Sequence, residues 1–149
     1  WLCLFAPGLG FALMVLGTRI ALAGPPSAGD LWLTLTPLLL CNNLLLLAQF
    51  PDVEADRAVG RRTLPMQLGC DGALWVVIGQ WLLAYGALLL ALYQAEISGA
   101  GLGLLCLPLA LRATWLLWRR PQRLLPALGL NAAISVATPL LMALGLTIL

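Results

Sequence analysis

Gln49-Phe-Pro-Asp52-Val-Glu-Ala-Asp56-Arg-Ala-Val-Gly60-Arg61-Arg62-Thr-Leu64 is a short polar passage between two long apolar runs. The chain has 8 basic and 6 acidic side chains, fourteen in all, and six of them lie between Asp52 and Arg62. The rest is close to hydrocarbon: 62% of residues are hydrophobic, mean hydropathy is +0.99 and only 9% are charged. A soluble domain carries about 25% charge to keep its surface wet. With so little charge, most of this chain's surface must face lipid, which excludes the soluble enzyme classes. A net charge of +2 without a basic stripe also gives no footprint for nucleic acid.

The apolar runs predict an all-α, multi-pass transmembrane helical bundle of five helices, at about 2–23, 31–56, 73–93, 99–118 and 124–149. Each approaches the roughly 20 residues a helix needs to cross about 30 Å of hydrocarbon. Gly24-Pro-Pro-Ser-Ala-Gly-Asp30 separates the first two, and an irregular link over 63–72 precedes the third. Pro37, Pro108 and Pro139 fall inside runs, where neighbouring helices can cover the freed carbonyls. The chain opens inside an apolar segment at Trp1 with no charged leader, which reads as a piece of a longer protein.

Arginine placement sets the expected orientation. Arg57, Arg61 and Arg62 follow the second run, and Arg119, Arg120 and Arg123 follow the fourth, whereas the alternate links hold only Asp30 and Glu96. The positive-inside rule therefore puts the acidic passage on the cytoplasmic side of a cell (inner) membrane. Arg19 lies near a helix end and can snorkel; Arg112 is about 10 Å deeper than Arg119 and either snorkels or faces a wet cavity. The six tryptophans sit mostly near run ends, as interfacial anchors do. Cys3, Cys41, Cys70 and Cys106 are widely spaced and have no histidine to help them hold a metal.

On a helix, Asp52 and Asp56 share one face a turn apart, Gln49 stands within about 60° of Asp52, and Glu54 points elsewhere. Like charges at that spacing repel unless a cation compensates. Oxygen-rich pairs of this kind suit Mg²⁺, which keeps some waters and bridges to phosphate. Against this stands a surface ion-pair cluster of Asp56 with Arg57, Arg61 or Arg62, which needs no ligand at all.

Gln49 to Gly69 resembles the second aspartate-rich motif of the UbiA superfamily of intramembrane prenyltransferases. The pattern D-x-E-x-D-R-x-x-G-[KR]-R-T-L-x-x-x-L-G is closest to the branch that prenylates 1,4-dihydroxy-2-naphthoate in menaquinone synthesis, and Pro7-Gly-Leu-Gly and Leu16-Gly-Thr18 resemble its preceding helix. The resemblance implies a nine-helix fold of which these five are helices 5–9, the C-terminal half. It implies Mg²⁺-dependent transfer of a polyprenyl group from polyprenyl diphosphate to an aromatic quinone precursor. Asp52 and Asp56 would be the catalytic, metal-holding carboxylates, and Gln49, Arg61 and Arg62 would contact the bound metal and diphosphate. The resemblance does not identify the residues that bind the acceptor; Arg112 and Tyr85 are candidates for lining it. The family's first motif, N-D-x-x-D, has no counterpart here, so a chain carrying the N-terminal half is an expected partner and this half alone is expected to be inactive. Ala48 also stands where many relatives have Asn one turn before the first aspartate.

Three other readings compete. CDP-alcohol phosphotransferases place spaced aspartates at a membrane edge, but their D-G-x-x-A-R run is not matched at Glu54-Ala55. Soluble prenyl synthases share aspartate-rich sites but not this composition. A non-catalytic multi-pass protein, whether a transporter or a degenerate scaffold, would concentrate polar groups mid-helix, where this chain has only Asn42, Asn43, Gln80, Arg112 and Asn131.

Overall fold

The computed structural model describes residues 2–94, 98–119 and 124–148. These form helices α1 (Leu2–Ala23), α2 (Ala28–Ala48), α3 (Val53–Ala58) and α4 (Leu64–Gln94), a 3-10 helix (Ser98–Cys106), and helices α5 (Leu107–Arg119) and α6 (Leu124–Ile148), with no strand among the described residues. The all-α bundle read from composition is therefore the fold. Four stretches are long and apolar enough to cross a membrane: Ala28–Ala48, Leu64–Tyr93, Gly99–Arg119 and Leu124–Ile148. Five were expected. The first run does form α1, but among the described residues its apolar stretch is only Gly8–Thr18. Glu96, Arg120 and Arg123, used to orient the chain, lie outside the described residues.

Helix boundaries differ from the expected ones for local reasons. The N-terminus of α2 is fixed by a reciprocal cap: the Asp30 backbone N–H donates to Ser27 Oγ at 3.2 Å, and the Ser27 N–H donates to the Asp30 carboxylate at 2.8 Å. The single run expected over 31–56 is two helices. Pro51 has no N–H to give Leu47 and its ring crowds that carbonyl, so α2 closes in tight turns, Gln49 N to Leu46 O at 3.2 Å and Phe50 N to Leu47 O at 3.3 Å. The irregular link expected over 63–72 is largely helical, with α4 starting at Leu64 and breaking only at Gly69. The fourth run opens as a nine-residue 3-10 helix and becomes α-helical just before Pro108.

Cross-helix hydrogen bonds give the packing directions. The Gly8 N–H donates to Asn42 Oδ1 at 3.1 Å, linking α1 to α2. Thr36 Oγ1 donates to Ala84 O at 3.1 Å and Asn43 Nδ2 to Val77 O at 2.9 Å, so α2 and α4 run antiparallel. Trp81 Nε1 donates to Asn131 Oδ1 at 3.1 Å, and Tyr85 and Thr138 hydroxyls lie 3.4 Å apart, so α4 and α6 run parallel. Trp75 and Trp118 meet edge to face, 5.2 Å between ring centroids, which places the C-terminus of α5 beside the first turns of α4. The passage after α2 and Arg119 thus share one end of the bundle, and the Gly24–Asp30 turn lies at the other.

The core combines buried leucines such as Leu40, Leu46, Leu47 and Leu88 with buried amides and hydroxyls: Asn42, Asn43, Gln80, Asn131, Thr36 and Thr138. Large apolar side chains, among them Leu13, Leu82, Leu83, Leu125 and Leu140, face outward. Between helices in lipid, packing and specific polar contacts hold the bundle where a hydrophobic driving force is missing. Asn131 therefore fixes α6 against α4 through the indole of Trp81. In a double-mutant cycle of Trp81→Phe and Asn131→Leu, followed by detergent unfolding, the coupling energy is expected to be about 1 kcal/mol. Strict additivity would show that the bond contributes nothing to holding the two helices together.

Candidate functional site

Pro51 builds the local frame. The turn it forces after α2 brings the chain out at the bundle's end, and α3 restarts at Val53 with Asp52 as its N-cap. Asp52 has φ −94° and ψ 2°, the sparsely populated bridge region where turns and many active-site residues sit. Its carbonyl accepts from Asp56 N at 2.8 Å, so the spacing of one helical turn survives even though the long helix does not. The Asp52 side chain caps nothing; its carboxylate is exposed. Glu54 is also exposed, roughly 200° around the helix from Asp52.

Asp56 is held differently. Its side chain is only 13% accessible and its Oδ1 lies 3.3 Å from Arg61 Nη1. The Arg61 backbone N–H also donates to Asp56 O at 2.9 Å, so the turn that presents the guanidinium is closed by the same residue that receives it. The guanidinium remains 74% accessible, and an ion pair this exposed to solvent stabilises by no more than about 1 kcal/mol. It can be exchanged for another anion at little cost. Arg57 and Arg62 are exposed.

Two glycines of the motif have backbone conformations that L side chains disfavour. Gly60 has φ +74° and follows α3; Gly69 has φ +73° with ψ 164° and breaks α4. Gly60 turns the chain so that Arg61 comes back over Asp56, and Gly69 redirects α4 away from the passage and into the bundle. Both are read as motif letters in the sequence, and both have a backbone reason to be glycine.

Gln49 is the C-cap of α2, and its Oε1 is buried with no hydrogen-bond partner. Thr63, just before α4, has a buried Oγ1 in the same condition. Burying an oxygen without a partner costs roughly 1–3 kcal/mol; buried side-chain atoms of Asn42, Asn43, Gln80 and Asn131 in the core share this condition, so it is not peculiar to the acidic turn. Thr63 was not among the expected site residues; its only sequence signal is its place in the Arg-Arg-Thr-Leu segment. Asp52, Asp56, Gln49, Arg61 and Arg62 do fall in one passage at one end of the bundle. Arg112 is exposed on α5, without an ion pair to Asp52, and Tyr85 is buried between α4 and α6 with its hydroxyl near Thr138. No group of three or more His, Cys, Asp or Glu side chains able to hold a metal occurs among the described residues.

Alanine at Gly60 or Gly69 is expected to lower stability by about 1–2 kcal/mol through backbone strain alone, because nothing lies within 4 Å of where either Cβ would stand. Gly129, inside α6 and equally open, should gain about 0.5–1 kcal/mol from the same change. Thermal unfolding of the three variants in one detergent measures both signs.

Comparison with individual curated proteins and with solved structures gives no significant match. The sequence profile of the UbiA prenyltransferase family matches residues 1–135, which include all of α1 to α5, the acidic passage and the first half of α6. Members of that family transfer a prenyl group from a polyprenyl diphosphate to an aromatic acceptor and generally depend on Mg²⁺. With that match over an all-helical, lipid-facing bundle, the chain belongs to the UbiA prenyltransferase family.

Proposed function

We propose that this chain forms one wall of a Mg²⁺-dependent polyprenyl-transfer site in the cell membrane, with 1,4-dihydroxy-2-naphthoate as acceptor. The observation that carries the reading is the turn at Pro51, which leaves the Asp52 carboxylate free and holds Asp56 a turn away under Arg61. The menaquinone branch is preferred on the spacing of the motif from Asp52 to Gly69. The acidic passage would face the cytoplasm, following its arginines.

The donor set fits Mg²⁺, which binds through one or two carboxylates plus substrate phosphates and does not need an all-protein cage. Asp52 and Asp56 would hold it, and Gln49 Oε1 is the nearest buried oxygen in sequence without a partner. Bound there, the ion supplies positive charge against the leaving diphosphate. Arg61, released from Asp56, donates to the phosphoryl oxygens together with Arg62. As the allylic carbon–oxygen bond breaks, these guanidiniums stabilise negative charge on the departing group. The apolar helices below exclude water that would otherwise capture the allylic cation before the ring carbon does.

Two carboxylates, one of them already paired, make an incomplete cradle. We assign the chain to the C-terminal half of the enzyme, with the facing carboxylates contributed by an N-D-x-x-D motif of an N-terminal half, in the same protein or in a partner chain. A scaffold without chemistry is the second reading, and Ala48 favours it, since alanine cannot bind metal or order its waters.

Titration of the purified protein with Mg²⁺ and inorganic diphosphate discriminates between them. Asp52→Ala should weaken Mg²⁺-dependent diphosphate binding at least tenfold. Arg61→Ala should weaken diphosphate binding while leaving Mg²⁺ alone bound as tightly or more tightly, because Asp56 is freed. Equal binding by wild type and Asp52→Ala would make the passage a solvated helix end. In lipid, with a polyprenyl diphosphate and 1,4-dihydroxy-2-naphthoate, the chain alone should form no product, and product should appear when a half carrying N-D-x-x-D is added. Turnover by this chain alone at an ordinary enzymatic rate would overturn the half-site assignment.

A further inference from the structure

We propose that a cleft between α4 and α5, separate from the acidic passage, binds a phospholipid whose headgroup carries a primary ammonium, as in phosphatidylethanolamine. The cleft has a volume of about 290 Å³ and is lined by Asp71, Leu74, Trp75, Ile78, Leu117 and Trp118. The four residues from α4 fall at i, i+3, i+4 and i+7, one face of the helix. Val77 and Ala84, whose carbonyls meet α2, stand on a different face, so this cleft looks away from α2 and its acidic continuation.

Its chemistry is graded along the bundle axis. Leu74, Ile78 and Leu117 make an apolar floor suited to acyl chains. The rings of Trp75 and Trp118, perpendicular within 10° at 80° and both largely exposed, stand at the level where tryptophan favours the headgroup region. Asp71, one turn nearer the end of the bundle than Trp75, is exposed and is the charged residue of the lining. Arg119 directly follows Trp118 at the same end, exposed and without an ion pair among the described residues.

The carboxylate in the lining complements a headgroup ammonium, and Arg119, next to Trp118 in sequence, supplies a positive charge at the same end of the bundle for its phosphate. A lipid whose headgroup carries only negative charge would meet Asp71 unfavourably. A choline headgroup has the charge but no N–H to donate to the carboxylate, so the hydrogen bond to Asp71 selects ethanolamine.

Native mass spectrometry of the full chain in detergent, titrated with ethanolamine, choline and glycerol phospholipids of identical acyl chains, tests this. The ethanolamine lipid should bind more tightly than the other two, by up to about fivefold, the size of one partly screened charge contact. Asp71→Asn should bring it to the level of the choline lipid, with helix content by circular dichroism and Mg²⁺–diphosphate binding unchanged. Arg119→Ala should weaken all three lipids. Trp118→Leu, which removes a wall but keeps the carboxylate, should also abolish the preference. Equal binding of the three lipids by wild type, or a preference that survives Asp71→Asn or Trp118→Leu, overturns the proposal.

Discussion

A helix in lipid must satisfy its own backbone, and Pro51 cannot. Lacking an N–H, it cannot bond to the Leu47 carbonyl, so α2 ends at Ala48 in tight turns and the chain leaves the helix there. Everything polar in the acidic passage follows from that exit. α3 is only six residues long and buries none of its side chains, so no core packing holds it. What organises it is the pair of turns at its ends and the double attachment of Arg61 to Asp56. Position at the end of the bundle is thus fixed by α2 and α4.

Pro37, in the middle of α2, behaves differently from Pro51 for a physical reason. It lies inside a helix that stays packed against α4 at that point, where Thr36 Oγ1 donates to Ala84 O. A proline is tolerated in a transmembrane helix where surrounding groups cover the defect, and it ends the helix where nothing does. The sequence alone does not separate the two cases, since both prolines lie in or beside leucine-rich runs. For this reason a continuous helix over 31–56 was a reasonable expectation and an incorrect one. The break at Gly69 was hidden the same way, inside a segment that reads as loop because Pro65, Gly69 and Gly72 all fall within it.

Composition, by contrast, carried the fold class without help from any single residue. A chain with 62% hydrophobic and 9% charged residues has to put apolar side chains outward, and it does. The polar core was only partly legible. Asn42, Asn43, Gln80 and Asn131 read as a thin mid-helix inventory for a transporter pathway. Three of the four instead join helices: Asn42 to α1, Asn43 to α4 and Asn131 to Trp81. Tyr85 faces α6, where its hydroxyl lies 3.4 Å from that of Thr138.

Within the acidic motif, spacing encodes two kinds of requirement that a sequence pattern prints with the same weight. Pro51, Gly60 and Gly69 are backbone letters: one stops a helix and two turn the chain through positive φ. Asp52, Asp56 and Arg61 are side-chain letters whose geometry exists only because the backbone letters hold. The interval from Asp56 to Gly60 is what lets the chain reverse and return Arg61 to the carboxylate it pairs with; a shorter interval would leave no room for the last turn of α3. Glu54, equally acidic and between the two aspartates, stands roughly 200° around the helix from Asp52. The pairing of Arg61 with Asp56 also means that the repulsion expected of two aspartates a turn apart is met by a cation the chain itself supplies. In the proposed site, Asp52 and Asp56 would hold a divalent ion whose positive charge replaces that of Arg61, and Arg61 would then be free to donate to a phosphate.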